Sequence, residues 1–482
     1  MSQPPGSPLR GWLSPVVHLS NNWISLLGVV IVTTATVFWF FMLPTTVRGD
    51  AANPYFGILV YLALPAAFMG GLALIPIGIW WQRRSETASG RLPTSFPPLT
   101  FRNLELRRLV TFIGVTTCAN VIIAGQLTYS AVNYMESVTF CGQTCHTVMQ
   151  PEFTAYQNSP HSRVECVKCH IGPGAGWFVK SKLSGVGQVF AVTLNTYPRP
   201  IPTPVHNLRP ARETCEACHW PQKYGSDRVV VFNKFGDDEK NSLTKTVLLM
   251  KIGGGNGGIG IHGTHLGPGV LIRYKATDEQ RQNIPWVKYT GPGRTTLYAT
   301  ADNKLGNDDA GSREMDCMDC HNRPAHSYDL PERGVDKAMT AGLISSALPF
   351  AKKKAVEIIK QNYTSRDEAA QKIPAAFAKY YQESYPAIWN SRQAEVTASS
   401  KQVLEVWNRN IFPAMKVTWG AYPVNIGHND FPGCFRCHDG GHNSQDGKSI
   451  SQDCNACHNL LAMDEANPKV LTDLGITEAK PK

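Results

Sequence analysis

The sequence predicts a membrane-anchored protein. Three transmembrane helices precede a mainly α-helical and irregular domain outside the membrane, which carries a small β insert. Three observations predict this. Long uncharged apolar runs occupy the first third of the chain, Cys pairs followed by His recur beyond it, and short alternating strand patterns lie between those pairs. Of the 482 residues, 43% are hydrophobic and 17% charged. The charged share is below the usual quarter, which excludes a disordered, highly charged chain.

The apolar runs are Ile24 to Leu43, Tyr55 to Trp81 and Leu109 to Ala131. A helix needs about 20 apolar residues to cross a bilayer core, so each run is long enough. Helices buried in a soluble core seldom stay uncharged for so long. Pro65 and Pro76 in the second run are tolerable inside a helix bundle. Arginines set the orientation. Residues 82–108 carry Arg83, Arg84, Arg91, Arg102, Arg107 and Arg108 against Glu86 and Glu105, whereas residues 44–54 carry only Arg48 and Asp50. The Arg-rich loop belongs in the cytoplasm. Two spans separate it from residues 1–22, which are therefore cytoplasmic too, and the chain beyond the anchor (23–135) lies in the periplasm of a bacterial inner membrane. No small-residue cleavage pattern ends the first run, so it reads as an uncleaved anchor.

Twelve of the 13 Cys form pairs, each followed directly by His. Five pairs read C-x-x-C-H: Cys166–Cys169–His170, Cys215–Cys218–His219, Cys317–Cys320–His321, Cys434–Cys437–His438 and Cys454–Cys457–His458. A sixth, Cys141–Cys145–His146, is one residue longer. C-x-x-C-H is the c-type haem attachment signal: two thiols add across the haem vinyl groups, and the adjacent imidazole becomes the proximal iron ligand. The fold class is thus a membrane-anchored multihaem cytochrome c. It carries six c-type haems, or five if the longer motif is not attached. A zinc ribbon through the pairs at 434 and 454 is the competing reading, but four cysteines on zinc have no use for a His after each pair. Cys118, inside the third span, reads as a small packing residue.

Distal ligands come from the remaining His. Outside the membrane these are His161, His206, His262, His265, His326, His428 and His442. Two strong axial ligands suit an electron carrier, because they leave no open site on the iron. The first haem either takes Met149, three residues after His146, or keeps an open position. The set assigned to the other five is His161, His206, His326, His428 and His442. His262 and His265, in the Gly-rich stretch 253–269, are spare or displace one of these.

Around these motifs, residues 136–230 read as a three-haem core, 231–316 as a β-rich insert, and 317–482 as a second three-haem domain with a helical segment at 332–412. Strand patterns are RVVVFNKF, KTVLLMKI, GVLIRYKAT and IPWVKYT between residues 228 and 300. Residues 468–482 read as a loose tail. Residues 1–110 hold eight Arg and three acids, and haem propionates offset the excess elsewhere. The formal charge of +10 is therefore no sign of nucleic-acid binding.

The segments CGQTCHTVM, SPHSRVECVKCH, GWFVKSKLSGVGQVFAVTLNTYPRP and ETCEACH resemble the NapC/NirT family of membrane-anchored quinol dehydrogenases, with an NrfH- and CymA-like core. The resemblance runs from about Ala131 to Arg228. It implies a first haem beside the membrane, and a helix after the second motif that lays a Lys near it, where quinol is oxidised. By position Lys182 matches that Lys, Lys180 is its neighbour, and Gln188 stands where a family carboxylate is expected. The chain departs from the family in having three membrane helices rather than one and an extra residue in the first motif. Its layout is nearest to larger members with further membrane helices and C-terminal haems. The implied partners are menaquinol or another quinol, and periplasmic c-type cytochromes or a terminal reductase, with the chain acting alone, as a homo-oligomer or as a complex subunit. The alternative is a haem conduit subunit without its own quinol site. A reductase for a small oxyanion at an open haem is a third reading.

The arrangement itself points the same way. The gap from Ala131 to Cys141 rises only about 15 Å if helical, so the first haem lies near the membrane surface. Residues 177–194 are amphipathic, with Lys180 and Lys182 beside Val179, Leu183, Val186 and Phe190, and Trp177 and Phe178 suit an interface.

Overall fold

The computed structural model describes all residues except 1–7, 47–62, 97–99, 101, 145, 206–207, 221–225, 254–259, 304–308 and 477–482. The chain divides into two compact units, one comprising residues 1–137 with 178–197, the other 138–177 with 198–482.

The first unit is helical: α1 (Pro8–Ser20), α2 (Trp23–Thr46), α3 (Leu64–Ala88) and α4 (Leu104–Glu136), joined by most of α7 (Ala175–Thr193). Three of these, α2, α3 and α4, are long and apolar enough to cross a membrane. All three run past the apolar limits read from the sequence. The described part of the second span starts at Leu64 and continues to Ala88; its expected start, Tyr55 to Tyr61, lies outside the described residues. The third span extends from Leu104 to Glu136, because helix geometry persists once the chain leaves the apolar layer. Asn103 caps it, its side chain accepting from Glu105 N at 2.9 Å.

Small residues let α2 and α3 approach closely. A Cβ on Gly71 would stand 2.9 Å from Val32 Cγ2 and 3.0 Å from Gly28 O. Polar groups inside the bundle find each other: Thr34 donates to Asn120 Oδ1 at 3.2 Å, and Asn120 Nδ2 donates to Thr33 at 3.3 Å. At one end His18 lies between Glu105 (2.6 Å) and Glu86 (3.2 Å), which ties α1 to both neighbours.

The second unit begins with short helices, α5 (His146–Gln157), α6 (Cys166–His170) and α8 (Ala211–Cys215). Two antiparallel sheets follow. One has the order β1 (Arg228–Phe235), β2 (Leu243–Met250), β7 (His458–Glu465); the other runs β5 (Arg294–Ala299), β4 (Trp286–Gly291), β3 (Leu271–Lys275), β6 (Arg313–Glu314). The strand patterns at 228–290 fall on β1 to β4. The strand β7 was not legible: it starts at His458 and pairs with Met250. Between the sheets lie α9 (Ile261–Leu266) and, later, α10 (Cys317–Cys320).

The helical segment comprises α11 (Pro331–Thr340), α12 (Ala351–Ile359), α13 (Arg366–Ser384) and α14 (Pro386–Asn410). Ile373, Phe377 and Tyr381 recur every fourth residue and so share one face of α13. They are fully buried against Val403 and Trp407 of α14. After α15 (Cys454–Cys457), the expected tail carries one more helix, α16 (Lys469–Asp473), whose Leu471 is buried beside Val247.

Candidate functional site

The haem motifs sit on short turns. Cys166–His170, Cys317–Cys320 and Cys454–Cys457 are each about one helical turn, which brings the two thiols of a pair to the same side. Caps hold two of these turns. The Asp316 carboxylate accepts from Met318 N at 2.8 Å while Asp319 accepts from Asp316 N at 2.7 Å, and Asp453 accepts from Asn455 N at 2.9 Å. The longer first motif begins in a π turn, Phe140–Thr144, which is wider than an α turn. Cys145 lies outside the described residues, and only the backbone of His146 is described.

Five imidazoles that follow Cys pairs each face a second imidazole. Ring centres are 6.2 Å apart for His170 and His326, 5.9 Å for His219 and His161, and 6.3 Å for His321 and His262. They are 5.9 Å apart for His438 and His265, and 6.2 Å for His458 and His428. The structure thus brings His161, His326 and His428 to such positions, and adds His262 and His265, both carried on α9. His206 lies outside the described residues. Met149 is half-buried on α5, three residues after His146.

His442 is placed differently. It is fully buried, its Nδ1 2.8 Å from Asp439 Oδ1 and its Nε2 2.7 Å from Ile284 O. Both ring nitrogens are taken, so it joins two loops and has none left for a metal. In four imidazoles of the facing pairs, by contrast, Nδ1 is the nitrogen engaged. It meets Pro324 O at 3.1 Å in His161, Ile261 O at 2.7 Å in His265, Glu152 O at 3.0 Å in His326 and Ser451 O at 2.6 Å in His438. Such a bond fixes the ring and turns Nε2 toward a metal. Burial lowers the pKa of His170, His262, His265, His321, His326 and His458, which favours the neutral ligand form.

The thiols follow one another in chain order. Cys141 reaches Cys166, and Cys215 reaches Cys317, at hydrogen-bonding range. Cys169 lies near Cys218, and both Cys320 and Cys457 lie near Cys434; burial first, and then these neighbours, push the three thiols up. Buried polar groups brace the turns. Asp319, almost wholly buried, takes Arg281 at 3.0 Å, Arg313 at 2.9 Å and Tyr274 at 2.6 Å. Arg436, inside the fifth motif, donates to Asp319 O at 2.6 Å. Gly433 (φ 49°) sits against Gly427 O where a Cβ would not fit, which keeps the His428 loop beside the fifth motif.

In the first unit, Lys182 Nζ lies 3.9 Å from Glu136 Oε1 and 4.9 Å from the centre of the Phe178 ring. Lys180 is exposed. Gln188 is exposed too, its Nε2 3.5 Å from Ser184 Oγ on the same helix. Sequence reasoning missed Glu136, which ends the third span just beyond the apolar run.

Residues 104–200 match the model of the NapC/NirT cytochrome c family, N-terminal region. Cytochrome c-type protein ImcH of Geobacter sulfurreducens is 41% identical over 453 residues, which span 92% of this chain and 89% of that protein. The chain belongs to the NapC/NirT cytochrome c family. No solved structure matches it.

A cytochrome of this family carries c-type haem, and the imidazole pairs fit that group. Metal–imidazole bonds of about 2 Å on opposite faces of one iron put the two ring centres about 6 Å apart. The five observed separations lie between 5.9 and 6.3 Å. The Cys pair beside one member of each couple would supply the covalent attachment.

Proposed function

We propose that this NapC/NirT cytochrome is a quinol dehydrogenase of the bacterial inner membrane. It oxidises menaquinol or another quinol and passes electrons through six c-type haems to periplasmic cytochromes or a terminal reductase. The proximal ligands are His146, His170, His219, His321, His438 and His458. The distal partners of the last five are, in that order, His326, His161, His262, His265 and His428. Met149 is the candidate at the first. The N-terminus and the Arg-rich loop face the cytoplasm, and the haem domain faces the periplasm.

The observation that carries the quinol reading is Lys182 held beside Glu136, the last residue of the third membrane helix. Cys141 follows Glu136 by five residues, a stretch of chain that reaches no farther than about 18 Å. Lys182 donates to the quinol oxygen, and its charge favours the deprotonated form. Bound haem supplies one-electron acceptor chemistry; the residues of the chain hold it, orient its ligands and exclude water. The thiol proximities support a path in motif order from the first haem to the sixth. Cys454 and His428, both exposed, make the sixth the natural exit.

The test is reduction of the purified protein in detergent by a menaquinol analogue. Fast haem reduction that Lys182→Ala slows at least tenfold supports the reading. No reduction of the wild type, with dithionite still reducing all haems, makes the chain a conduit without a quinol site.

A further inference from the structure

We infer that Glu136 is the proton acceptor of quinol oxidation. This inference rests on the quinol reading and deepens it. Quinol carries two O–H groups whose protons must leave, and a base has to stand next to the Lys that orients the oxygen. The interfacial helix α7 offers none: residues 175–193 contain no acid. Gln188, at the position where a carboxylate was expected, is an amide, which does not take up a proton at neutral pH, and it bonds within its own helix.

Along the sequence, Glu136 is the single acid between Glu105 and Glu152. Glu105 is at the far end of α4, bound to His18. Glu152 is held by Arg323 at 3.1 Å and by His326 at 3.2 Å. Glu136 instead stands 3.9 Å from the Lys182 ammonium, and both side chains are about a third exposed, at 32% and 27%.

The distance has a use. Hydrogen bonds to oxygen run about 2.7–3.2 Å, so Lys182 and Glu136 do not saturate each other at 3.9 Å. One quinol oxygen can sit within hydrogen-bond range of both, accepting from the ammonium and donating to the carboxylate. The Phe178 ring under the ammonium holds it in place by cation–π attraction.

The step balances as follows. The quinol O–H bond breaks and its proton goes to the Glu136 carboxylate, while Lys182 stabilises the oxyanion left behind. One electron leaves to the one-electron acceptor that a ferric c-type haem held by the Cys-Cys-His motifs would supply. Glu136 hands its proton to water, and the remaining O–H on the far side of the ring gives its proton to water as the second electron leaves. The products are quinone, two protons in the periplasm and two reduced haem equivalents.

The experiment compares wild type, Glu136→Gln, Glu136→Asp and Lys182→Ala, all in detergent and normalised to haem absorbance. Menaquinol-analogue oxidation gives kcat, and fluorescence titration with 2-heptyl-4-hydroxyquinoline N-oxide gives binding without turnover. A general base contributes about 10²–10⁴-fold. Glu136→Gln is expected to lower kcat by at least a hundredfold with inhibitor affinity within twofold, and Glu136→Asp to recover part of the rate. Glu136→Gln turning over like wild type while Lys182→Ala is slow overturns the proton acceptor and leaves the quinol reading standing. Loss of inhibitor binding in Glu136→Gln makes the residue a positioning group, which also overturns it. A wild type that quinol does not reduce removes both.

Discussion

The helical segment from Pro331 to Asn410 and the three-motif stretch 138–220 are built in opposite ways. The helical segment makes its own core: Ile344, Leu348, Ile359, Ile373, Phe377, Tyr381, Val403 and Trp407 are all essentially inaccessible. Among the described residues of 138–220, the buried ones of any apolar size are Val148, Pro151, Ala155, Tyr156 and Ala211. That stretch has short helices, three Cys pairs and the His161–His219 couple, but little side-chain core of its own. On the proposed haem ligation it is organised around the group its thiols and imidazoles would hold, whereas the helices are organised around Phe377 and Trp407. The lesson is that one region folds by hydrophobic burial, and the other, on the proposed ligation, by coordination coupled to folding, as in other metal-dependent domains.

The largest effect should come from preventing haem attachment. Protein made without covalent haem is expected to be cleaved throughout 138–220 in limited proteolysis, with residues 331–410 surviving as a protected fragment. Equal protection of both would erase the contrast. Next in size, Phe377→Ala leaves a cavity in the helical core and should cost about 3–5 kcal/mol. A denaturant melt followed by far-UV circular dichroism would read the loss, while the haem absorption spectrum of the folded protein stays as in wild type.

A smaller effect separates two kinds of His. His442→Ala removes the partner of Asp439 and of Ile284 O, which should cost about 1–3 kcal/mol and leave all haems low-spin. His265→Ala, on the other kind, should turn one haem high-spin at little cost to the helical segment. The smallest change expected is electronic. The Glu152 carboxylate lies 3.2 Å from the outer nitrogen of His326, beside the backbone oxygen that this nitrogen bonds, and a carboxylate there raises ligand basicity. Glu152→Gln should move one haem potential upward by roughly 60 mV, the one-electron equivalent of tenfold in the equilibrium constant. A spectroelectrochemical titration checks it.

Much of this was legible in the sequence. The membrane spans declare themselves through uninterrupted apolar length, and the strands β1 to β4 through alternation. The Cys-Cys-His units need only local spacing, so their proximal His are readable. Distal ligands are not local. His161 and His326 come from loops far along the chain from their partners, and His262 and His265 were hidden in a Gly-rich stretch. One signal was there: their spacing of three residues is that of a helical turn, which presents both imidazoles from one short element. Another was the run His438-Asp-Gly-Gly-His442, in which Asp439 is near enough to claim His442 for itself. Glu136 was missed because the apolar pattern ends before the helix does, and β7 because His458-Asn-Leu-Leu-Ala-Met-Asp-Glu465 lacks a clean alternation.

The central claim is that five of the haems each take the facing imidazoles as a ligand pair. Near-infrared magnetic circular dichroism of the oxidised protein, scaled to its haem content, tests it most directly. The account predicts bis-histidine intensity for five haems, with the first haem distinct, and the loss of one unit in His262→Ala or His265→Ala but none in His442→Ala. Fewer than five units in the wild type, or a unit lost with His442, would contradict it.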